Sequence, residues 1–348
     1  MNSVSRRRKM SEENNNGIEI FENTFRHQIQ KDGEIKVQDN LFTRKFGDGP
    51  DEWPVLPNRY RLIWMPACPH AHKVIITRKL LGLEKVISLG TTGILRDPKG
   101  WVFSEDPNGL DPVLKIHYLN DVYTKNNPEY KERPTVPIIV DEKTGEGVNN
   151  DHFWLPIYFN TDWEKLHKEN APDLYPTELR DEIDELNHFI YKRVNWGVYD
   201  VGFARSQKRY DEAYDRIFEA LDILEKRLSR KRFLFGDYIT DSDIRLYPTL
   251  ARFDVVYHPV FRCNRQRIRD YKNLWGYARD LYQTEGFRDT TYFDLIKKHY
   301  QTSPHLKPLW GNKYGLVAAG PDLSVWDEPH KREVLSKDPE NKFMAKHK

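Results

Sequence analysis

Cysteine is scarce in this sequence: only Cys68 and Cys263 occur among 348 residues. Two cysteines so far apart in the chain exclude a disulfide framework and a Cys-x-x-Cys metal pair. Their scarcity favours a reducing compartment, because disulfides persist mainly in oxidising ones. We therefore expect no metal cofactor and a cytoplasmic location.

A strong net charge and a long apolar run are also missing. Lysine plus arginine (55) nearly balances aspartate plus glutamate (53), so the formal net charge is +2. No global field therefore favours nucleic acid or an acidic membrane. No apolar run approaches the ~20 residues of a membrane span, and residues 1–17 lack the apolar region of a signal peptide. We expect a soluble protein without a nucleic-acid or membrane partner.

Cys68 lies between a strand-like segment and a helix-like one. Residues 60–65 alternate strong β formers, and residues 70–81 carry apolar residues at helical spacing before Gly82, a candidate C-cap. Pro69 would be the first helical residue, where a missing N–H costs nothing. Unpaired N–H groups and the helix dipole then stabilise a thiolate on Cys68. The setting predicts a reactive thiol; a packed structural cysteine is the alternative, and it is our interpretation of Cys263.

Composition divides the chain into five segments. The first two are a disordered tail, with a basic run at 6–9 that we interpret as solvated, and an arm anchored on the body by Phe21, Phe25 and Phe42. A segment of mixed strands and helices follows, then a helical segment, then a loose tail. The boundaries are 1–17, 18–58, 59–165, 175–321 and 322–348.

Periodicity predicts a small mixed sheet followed by a helical bundle, an α/β plus all-α fold. The sheet segment has the order βαβαββα, with strands at 60–65 and 83–89, a helix at 110–123, and a buried strand entered through a Val-Pro bond before 141. Asp151 is a candidate cap for a helix near 151–159. Later helices are expected at 178–194, 210–228, after a capping box at Thr240 and Asp243, 270–284 and 290–300.

These landmarks together resemble a glutathione transferase, which implies a thioredoxin-like domain followed by an all-helical domain. Val136-Pro137 is similar to the family's cis-proline strand, and the stretch from Gly236 to Asp243 to its capping element. The sequence more closely resembles the glutathionyl-hydroquinone reductases, the Xi-class glutathione transferases. The shared motifs are Cys-Pro-x-Ala-His at 68–72, Gly-Trp-x-Phe at 100–103, Arg-x-Thr-Val-Pro at 133–137, Asn-x-Gly-Val-Tyr-x-x-Gly-Phe-Ala at 195–204, Arg-Phe-Asp-x-Val-Tyr at 252–257 with Phe-x-Cys-Asn at 261–264, and His-Tyr at 299–300.

The resemblance implies a thiol exchange at Cys68. The thiolate would take the glutathionyl group from a hydroquinone adduct, and a second glutathione would resolve the mixed disulfide. Tyr199 and Tyr300 would face the aromatic acceptor, although tyrosines in helices are usually core or rim residues. A Cys–His pair with His70 or His72 is conceivable, but residues two apart on a helix point to different sides.

The same resemblance places glutathione against five further residues. Trp101 would lie over its backbone, Val136 would pair with its cysteinyl unit as an added strand does, and Arg133 would hold its glycyl carboxylate. The family's Asn-Glu-Ser is Asn-Asp-His here, so Asp151 would be a helix cap, a ligand contact or both, and His152 a ligand donor or a surface residue. The family also implies a homodimer built through the helical domain.

Three functional hypotheses follow. The first is an enzyme of the glutathionyl-hydroquinone reductase type. The second keeps the fold and chemistry with a different low-molecular-weight thiol, because Asp151 and His152 depart from the family pattern. The third is a non-catalytic interaction protein on the same scaffold, for which Cys68 would have an ordinary thiol pKa.

Overall fold

A computed structural model describes residues 28, 30, 34, 36–97, 99–310 and 315–346. The predicted tail at 1–17 and two arm anchors, Phe21 and Phe25, lie outside the described residues. The third anchor, Phe42, is buried, and its backbone N–H donates to the Oδ1 atom of Asn150 at 2.8 Å. This part of the arm therefore packs beside the last strand of the sheet.

Four strands form a mixed sheet, as predicted. In chain order the strands are β1 (Tyr60–Trp64), β2 (Ile87–Thr91), β3 (Arg96–Asp97), β4 (Gly100–Trp101), β5 (Ile138–Asp141) and β6 (Gly147–Asn149). The sheet order is β2-β1-β5-β6, with β1 parallel to β2 and antiparallel to β5, while β3 and β4 form a separate hairpin. Every residue of β1 and β5 is buried, because helices or loops cover both faces.

Helix α1 (Pro69–Leu80) starts at the end of β1, and Cys68 is its N-cap residue with extended backbone angles, φ −73° and ψ 118°. Pro69 occupies the first helical position, as predicted. Gly82 ends the helix in the left-handed region with φ +73°, where a Cβ atom would approach the Lys168 side chain to 2.4 Å. These two residues fix where the helix begins and ends, and so where the Cys68 sulfur lies.

The helix predicted at 110–123 is wrong over most of its length. Helix α2 covers only Asn120–Asn126, and a turn precedes it. Within that turn Oδ1 of Asp111 accepts the backbone N–H groups of Val113 and Leu114 at 3.0 and 2.7 Å. Its Oδ2 pairs with the buried Arg61 side chain at 2.9 Å. This tertiary ion pair fixes a turn where apolar spacing alone indicated a helix.

The helical part begins after helix α3 (Leu155–Thr161). Its helices are α4 (Arg180–Phe189), α5 (Gly197–Phe203), α6 (Gln207–Arg227), α7 (Asp241–Arg252), α8 (Lys272–Tyr282), α9 (Phe293–Thr302) and the short α10 (Lys307–Trp310). Wider π-helical turns extend α4 over Ile190–Asn195 and α7 over Phe253–Tyr257. Within the described ranges, no helix is both long and apolar enough to cross a membrane.

Helix α7 is buried along its whole length and packs against α1, so it joins the two layers. The predicted capping box is present at its start. The Asp243 carboxylate accepts the Thr240 N–H at 2.8 Å, the Leu234 N–H at 2.9 Å and the Tyr277 hydroxyl at 2.8 Å. A buried carboxylate with this many donors holds the α7 N-terminus against its neighbours.

The prediction of a loose tail after residue 321 is wrong for the residues described there. Trp326 and Arg332 are both 4 % exposed. The Arg332 guanidinium donates to the Leu228 carbonyl at 2.9 Å, and Lys342 pairs with the buried Asp280 at 2.9 Å. Charge and proline suggested a solvated segment, but these cations have buried acceptors on the helical part.

Candidate active site

A cavity opens between the sheet and the helical part, and Cys68 lies on its wall. It encloses about 960 Å³ of empty space when its open mouth is counted. Of the eight residues that we predicted for the site, seven line this cavity: Cys68, Trp101, Arg133, Val136, His152, Tyr199 and Tyr300. The eighth, Asp151, does not belong to its described lining. The fold therefore brings together side chains that lie up to 232 positions apart in the sequence, as Cys68 and Tyr300 do.

Cys68 is partly exposed, and its sulfur faces the strand that follows Val136. Its thiol donates to the Val136 carbonyl with an Sγ–O distance of 3.6 Å. The Val136-Pro137 peptide bond is cis, as the resemblance implied. Val136 lines the cavity beside the Cys68 sulfur, and its pairing with a bound peptide thiol stays a prediction.

The charge state of Cys68 differs from our expectation. Burial raises the pKa of the Cys68 thiol above its ordinary value, while the backbone N–H of Ala71 and the Arg252 guanidinium act in the opposite direction. The helix amides and Arg252 therefore offset burial only in part, contrary to our prediction that the amides hold the sulfur ionised. A neutral thiol agrees with the S–H donation to Val136, and the amides lower the pKa only in part.

Arg252 holds the turn that carries Cys68, a role that we did not predict. Its side chain is fully buried, and it donates to the carbonyls of Pro66 at 3.0 Å and Ala67 at 2.9 Å. It also donates to Nδ1 of His72 at 3.1 Å, so His72 is protonated on Nε2, which contacts the Thr290 hydroxyl at 2.9 Å. Both ring nitrogens of His72 therefore contact residues other than Cys68. This agrees with the argument that residues two apart on a helix point to different sides.

His70 and His152 stack on each other in the cavity wall. Their ring centroids are 4.4 Å apart, and His70 also stacks on Trp196 at 5.0 Å. Nε2 of His70 and Nδ1 of His152 are buried, and neither has a hydrogen-bond partner from another described residue. Burial lowers the pKa of both imidazoles well below the ordinary value, so both rings are neutral.

Asp151 stabilises the turn that precedes α3. Its Oδ1 accepts the N–H groups of Phe153 at 3.1 Å and Trp154 at 3.4 Å, at the turn that leads into α3. Its own N–H donates to Oδ1 of Asn149 at 2.8 Å. Helix α3 itself begins at Leu155 with Trp154 as its N-cap residue and without a side-chain cap, so the predicted capping role of Asp151 is wrong, and its contact with a ligand stays a prediction.

Trp101 and Arg133 line the cavity on the side of the β3–β4 hairpin. The Trp101 ring lies between the Arg96 guanidinium, 4.9 Å from its centroid, and the His299 ring at 5.7 Å. Its Nε1–H has no hydrogen-bond acceptor among the described residues. Nη2 of Arg133 donates to Oε1 of Gln28 at 3.3 Å, so the arm contributes to the cavity.

Tyr199 and Tyr300 meet at the cavity with their hydroxyl oxygens 2.7 Å apart. Burial raises the pKa of both phenols, and both therefore stay protonated donors. Tyr257 packs on both rings with centroids 5.9 Å away, a third phenol that we did not single out. Its position in the quoted motif at 252–257, together with Arg252, is the signal that would have found it.

Cys263 is fully buried, and its sulfur lies 4.0 Å from the Val198 carbonyl. Burial raises its thiol pKa strongly, which agrees with our interpretation as a packed core cysteine. Across the described residues, no group of three histidine, cysteine, aspartate or glutamate side chains is arranged to hold a metal ion. The ionisable side chains that line the cavity are one thiol, two phenols, three imidazoles and two guanidiniums: Cys68, Tyr199, Tyr300, His70, His152, His299, Arg96 and Arg133.

Comparison with known proteins agrees with this arrangement. Residues 207–280 match the family model described as "Glutathione S-transferase, C-terminal domain". The glutathionyl-hydroquinone reductase YqjG of Escherichia coli is 42% identical over 279 residues, which cover 80% of this chain and 83% of that protein.

Two solved structures extend the similarity to the fold. A glutathione transferase from Gordonia bronchialis is 47% identical with a TM-score of 0.83, covering 89% of this chain and 96% of that one. The glutathione-bound structure of Escherichia coli YqjG is 41% identical with a TM-score of 0.77, covering 85% and 96%. The chain belongs to the glutathionyl-hydroquinone reductases, the Xi-class glutathione transferases.

Proposed function

We propose that this protein is a glutathione-dependent reductase that removes the glutathionyl group from aromatic hydroquinone adducts through Cys68. The observation that carries the proposal is the position of the Cys68 sulfur, 3.6 Å from the Val136 carbonyl and in one cavity with the Tyr199–Tyr300 pair. A relative at 42% identity bears the name of this activity. The proposed site residues are Cys68, Tyr199 and Tyr300 for catalysis and Trp101, Arg133, Val136, Asp151 and His152 for thiol binding.

The reaction balances with one enzyme thiol and one external thiol. In the keto form the ring carbon that bears sulfur already carries a proton. The Cys68 thiol loses its proton to solvent, and the thiolate attacks the glutathionyl sulfur. The carbon–sulfur bond breaks, its electron pair stays with the ring, and the ring oxygen takes up a proton to give the free hydroquinone. Cys68 is left in a mixed disulfide. A second glutathione thiolate attacks that disulfide, releases glutathione disulfide and restores Cys68. Cys263 is buried and does not take part.

The paired phenols supply the acid function. Because burial keeps Tyr199 and Tyr300 protonated, their hydroxyls donate to a quinol oxygen and favour its keto form, in which the ring carbon bearing sulfur is tetrahedral. The carbon–sulfur bond is cleavable in that form. The Tyr257 ring packs edge-on against the rings of both Tyr199 and Tyr300.

The direct test is release of hydroquinone from a glutathionyl adduct in the presence of glutathione. Cys68→Ser abolishes release, whereas the matched variant Cys263→Ser retains it, provided that both variants melt at the wild-type temperature. Full turnover by Cys68→Ser would contradict the proposal. An inactive wild-type protein that still binds glutathione would favour the non-catalytic alternative.

A second candidate keeps the chemistry and changes the thiol. The unused nitrogen of His152 and the engagement of Asp151 in a local turn favour it, because the site has an imidazole where the family has a hydroxyl, and a shorter carboxylate where the family has a glutamate. Titration calorimetry with glutathione and with other low-molecular-weight thiols decides. Tight binding of glutathione with weak binding of the others removes this candidate.

We further infer a cytoplasmic homodimer formed through the helical part. A groove on α6 contains Tyr214, Phe218 and Ile223, and Ile223 is 50% exposed. Two free cysteines agree with a reducing compartment. Light scattering on Ile223→Asp against wild type tests the interface: a wild-type dimer that the variant leaves intact places the interface elsewhere.

A further inference from the structure

Arg96 is a buried cation that the proposed reaction does not use. It lies in β3, is 6% exposed, and lines the same cavity as Cys68. Its Nε has no hydrogen-bond partner among the described residues, and no ion pair of Arg96 is found within them. The neighbouring Asp97 is engaged elsewhere, since its carboxylate accepts from the Tyr118 hydroxyl at 2.9 Å and the Lys99 N–H at 2.7 Å. Burying a cation without an acidic partner costs free energy unless a bound anion pairs with it.

A second cation lines the same cavity. Burial, and after it the like charge of Arg133, lower the pKa of Arg96 to about 9, which leaves Arg96 cationic at neutral pH. The described lining of the cavity contains no carboxylate side chain at all. The cavity therefore favours an anionic ligand. One carboxylate bound between the guanidiniums of Arg96 and Arg133 would reduce the repulsion between them.

Trp101 marks where that anion would lie. The Arg96 guanidinium stacks over its ring at 4.9 Å, which holds the planar group in one orientation. The buried Nε1–H of Trp101 lacks an acceptor in the described part of the chain and offers one more donor. His70 and His152 form a separate cluster with Trp196. A ligand would therefore contact these imidazoles with one end, and Arg96 and Trp101 with another.

We propose that Arg96 is a specificity-determining residue that binds, together with Arg133, the glycyl carboxylate of the glutathionyl group. The inference rests on the proposed function and adds a residue to it. A guanidinium fork and a carboxylate form paired charge-assisted hydrogen bonds, and a fork already fixed on an indole ring loses little freedom on binding. Arg96 thereby selects thiols that end in a carboxylate over neutral analogues of the same shape.

The test is calorimetric titration on a Cys68→Ser background, which prevents mixed disulfides. The ligands are glutathione and its glycyl monoethyl ester, which differ in one charge. We expect the background protein to bind glutathione about tenfold more tightly than the ester, as one charge-assisted contact allows. Adding Arg96→Gln weakens glutathione binding about tenfold and leaves the ester unchanged, so the preference disappears. Arg96→Lys keeps part of it, because an ammonium lacks the fork.

The matched control is Lys99→Gln, which removes a cation from the same hairpin but from an exposed position over the Tyr118 ring. This variant retains the full preference for the acid. The ratio of the two affinities is measured within one sample, so it does not depend on the fraction that folds. An Arg96→Gln protein that still prefers glutathione tenfold overturns the inference alone. A background protein that binds neither ligand overturns the glutathione assignment as well.

Discussion

Single residues decide the chemistry of this site through a competition between burial and local positive groups. Burial raises the pKa of the Cys68 thiol, and the backbone N–H groups at the start of α1 together with Arg252 oppose it. The sequence correctly predicted that Cys68 precedes the start of a helix, because this depends on local order along the chain. It did not reveal the direction of the pKa shift, since one of the groups that act on the thiol, Arg252, comes from α7, more than 180 positions away.

Replacement of Arg252 tests this balance. Because the thiolate is the reactive form, the rate of Cys68 alkylation by iodoacetamide in a Cys263→Ser protein rises with pH, with its midpoint above the usual thiol value of 9.0. Arg252→Met removes a positive charge and moves the midpoint to higher pH. Arg252→Lys keeps the charge and stays near wild type. A midpoint below 9 in the parent protein would mean that the amides outweigh burial after all.

The phenol pair gives a second prediction at the residue scale. Tyr199→Phe and Tyr300→Phe each lower the rate of hydroquinone release by about 10²-fold, the usual range for a lost acid function. The double variant is little worse than either, because the hydroxyls act as a bonded pair. Glutathione affinity does not change. Tyr238→Phe is the control, since its hydroxyl donates to Asp338 at 3.0 Å and does not line the cavity; equal losses in all three variants would indicate a general effect on folding.

At the scale of elements, local signals predicted the ends of helices better than their interiors. Pro69, Gly82 and the Thr240–Asp243 capping box lie where their sequence context placed them. The apolar spacing at 110–119 failed, because Asp111 uses its carboxylate for a turn and for the buried Arg61. Periodicity reports only which residues are apolar, whereas the turn at 110–119 depends on the ion pair between Asp111 and the distant Arg61.

The capping box gives a prediction for one element. Thr240→Ala removes the side chain that starts α7 and lowers the free energy of unfolding by about 1 kcal/mol, the usual cost of a lost N-cap. Chemical denaturation measures the loss. The control is Ser229→Ala just after the end of α6, where an exposed hydroxyl donates to the Lys226 carbonyl at 2.7 Å, and the expected change is close to zero. Equal losses in both variants would contradict a specific role for the cap.

On the scale of the whole molecule, the C-terminal segment, residues 322–346, is attached to the helical part through Asp280. This carboxylate is buried and pairs with Arg232 at 2.9 Å and with Lys342 from the C-terminal segment at 2.9 Å. Composition alone indicated a loose tail, because charged residues are usually solvated. The buried acceptors that order this segment lie in other elements, and no local pattern along 322–346 reports them.

Asp280→Asn tests the contribution of these ion pairs to stability. The substitution leaves Arg232 buried without its charge partner and lowers the free energy of unfolding by about 3–5 kcal/mol. Asp270→Asn, at an exposed pair with Arg267, costs less than about 1 kcal/mol. The cations lower the pKa of Asp280, so its contribution is present above the unfolded pKa and is lost as pH falls through the folded one. Identical acid unfolding curves for the wild-type protein and the Asp280→Asn variant would show that the carboxylate is not the anchor.

The most direct test of the account is a single turnover followed by intact-protein mass spectrometry. Wild-type protein is mixed with a glutathionyl-hydroquinone in the absence of free glutathione. We predict that its mass increases by one glutathionyl group, that free hydroquinone appears in equal amount, and that Cys263→Ser behaves identically while Cys68→Ser stays unmodified. Release of hydroquinone without any adduct on Cys68 would contradict the covalent role of this thiol.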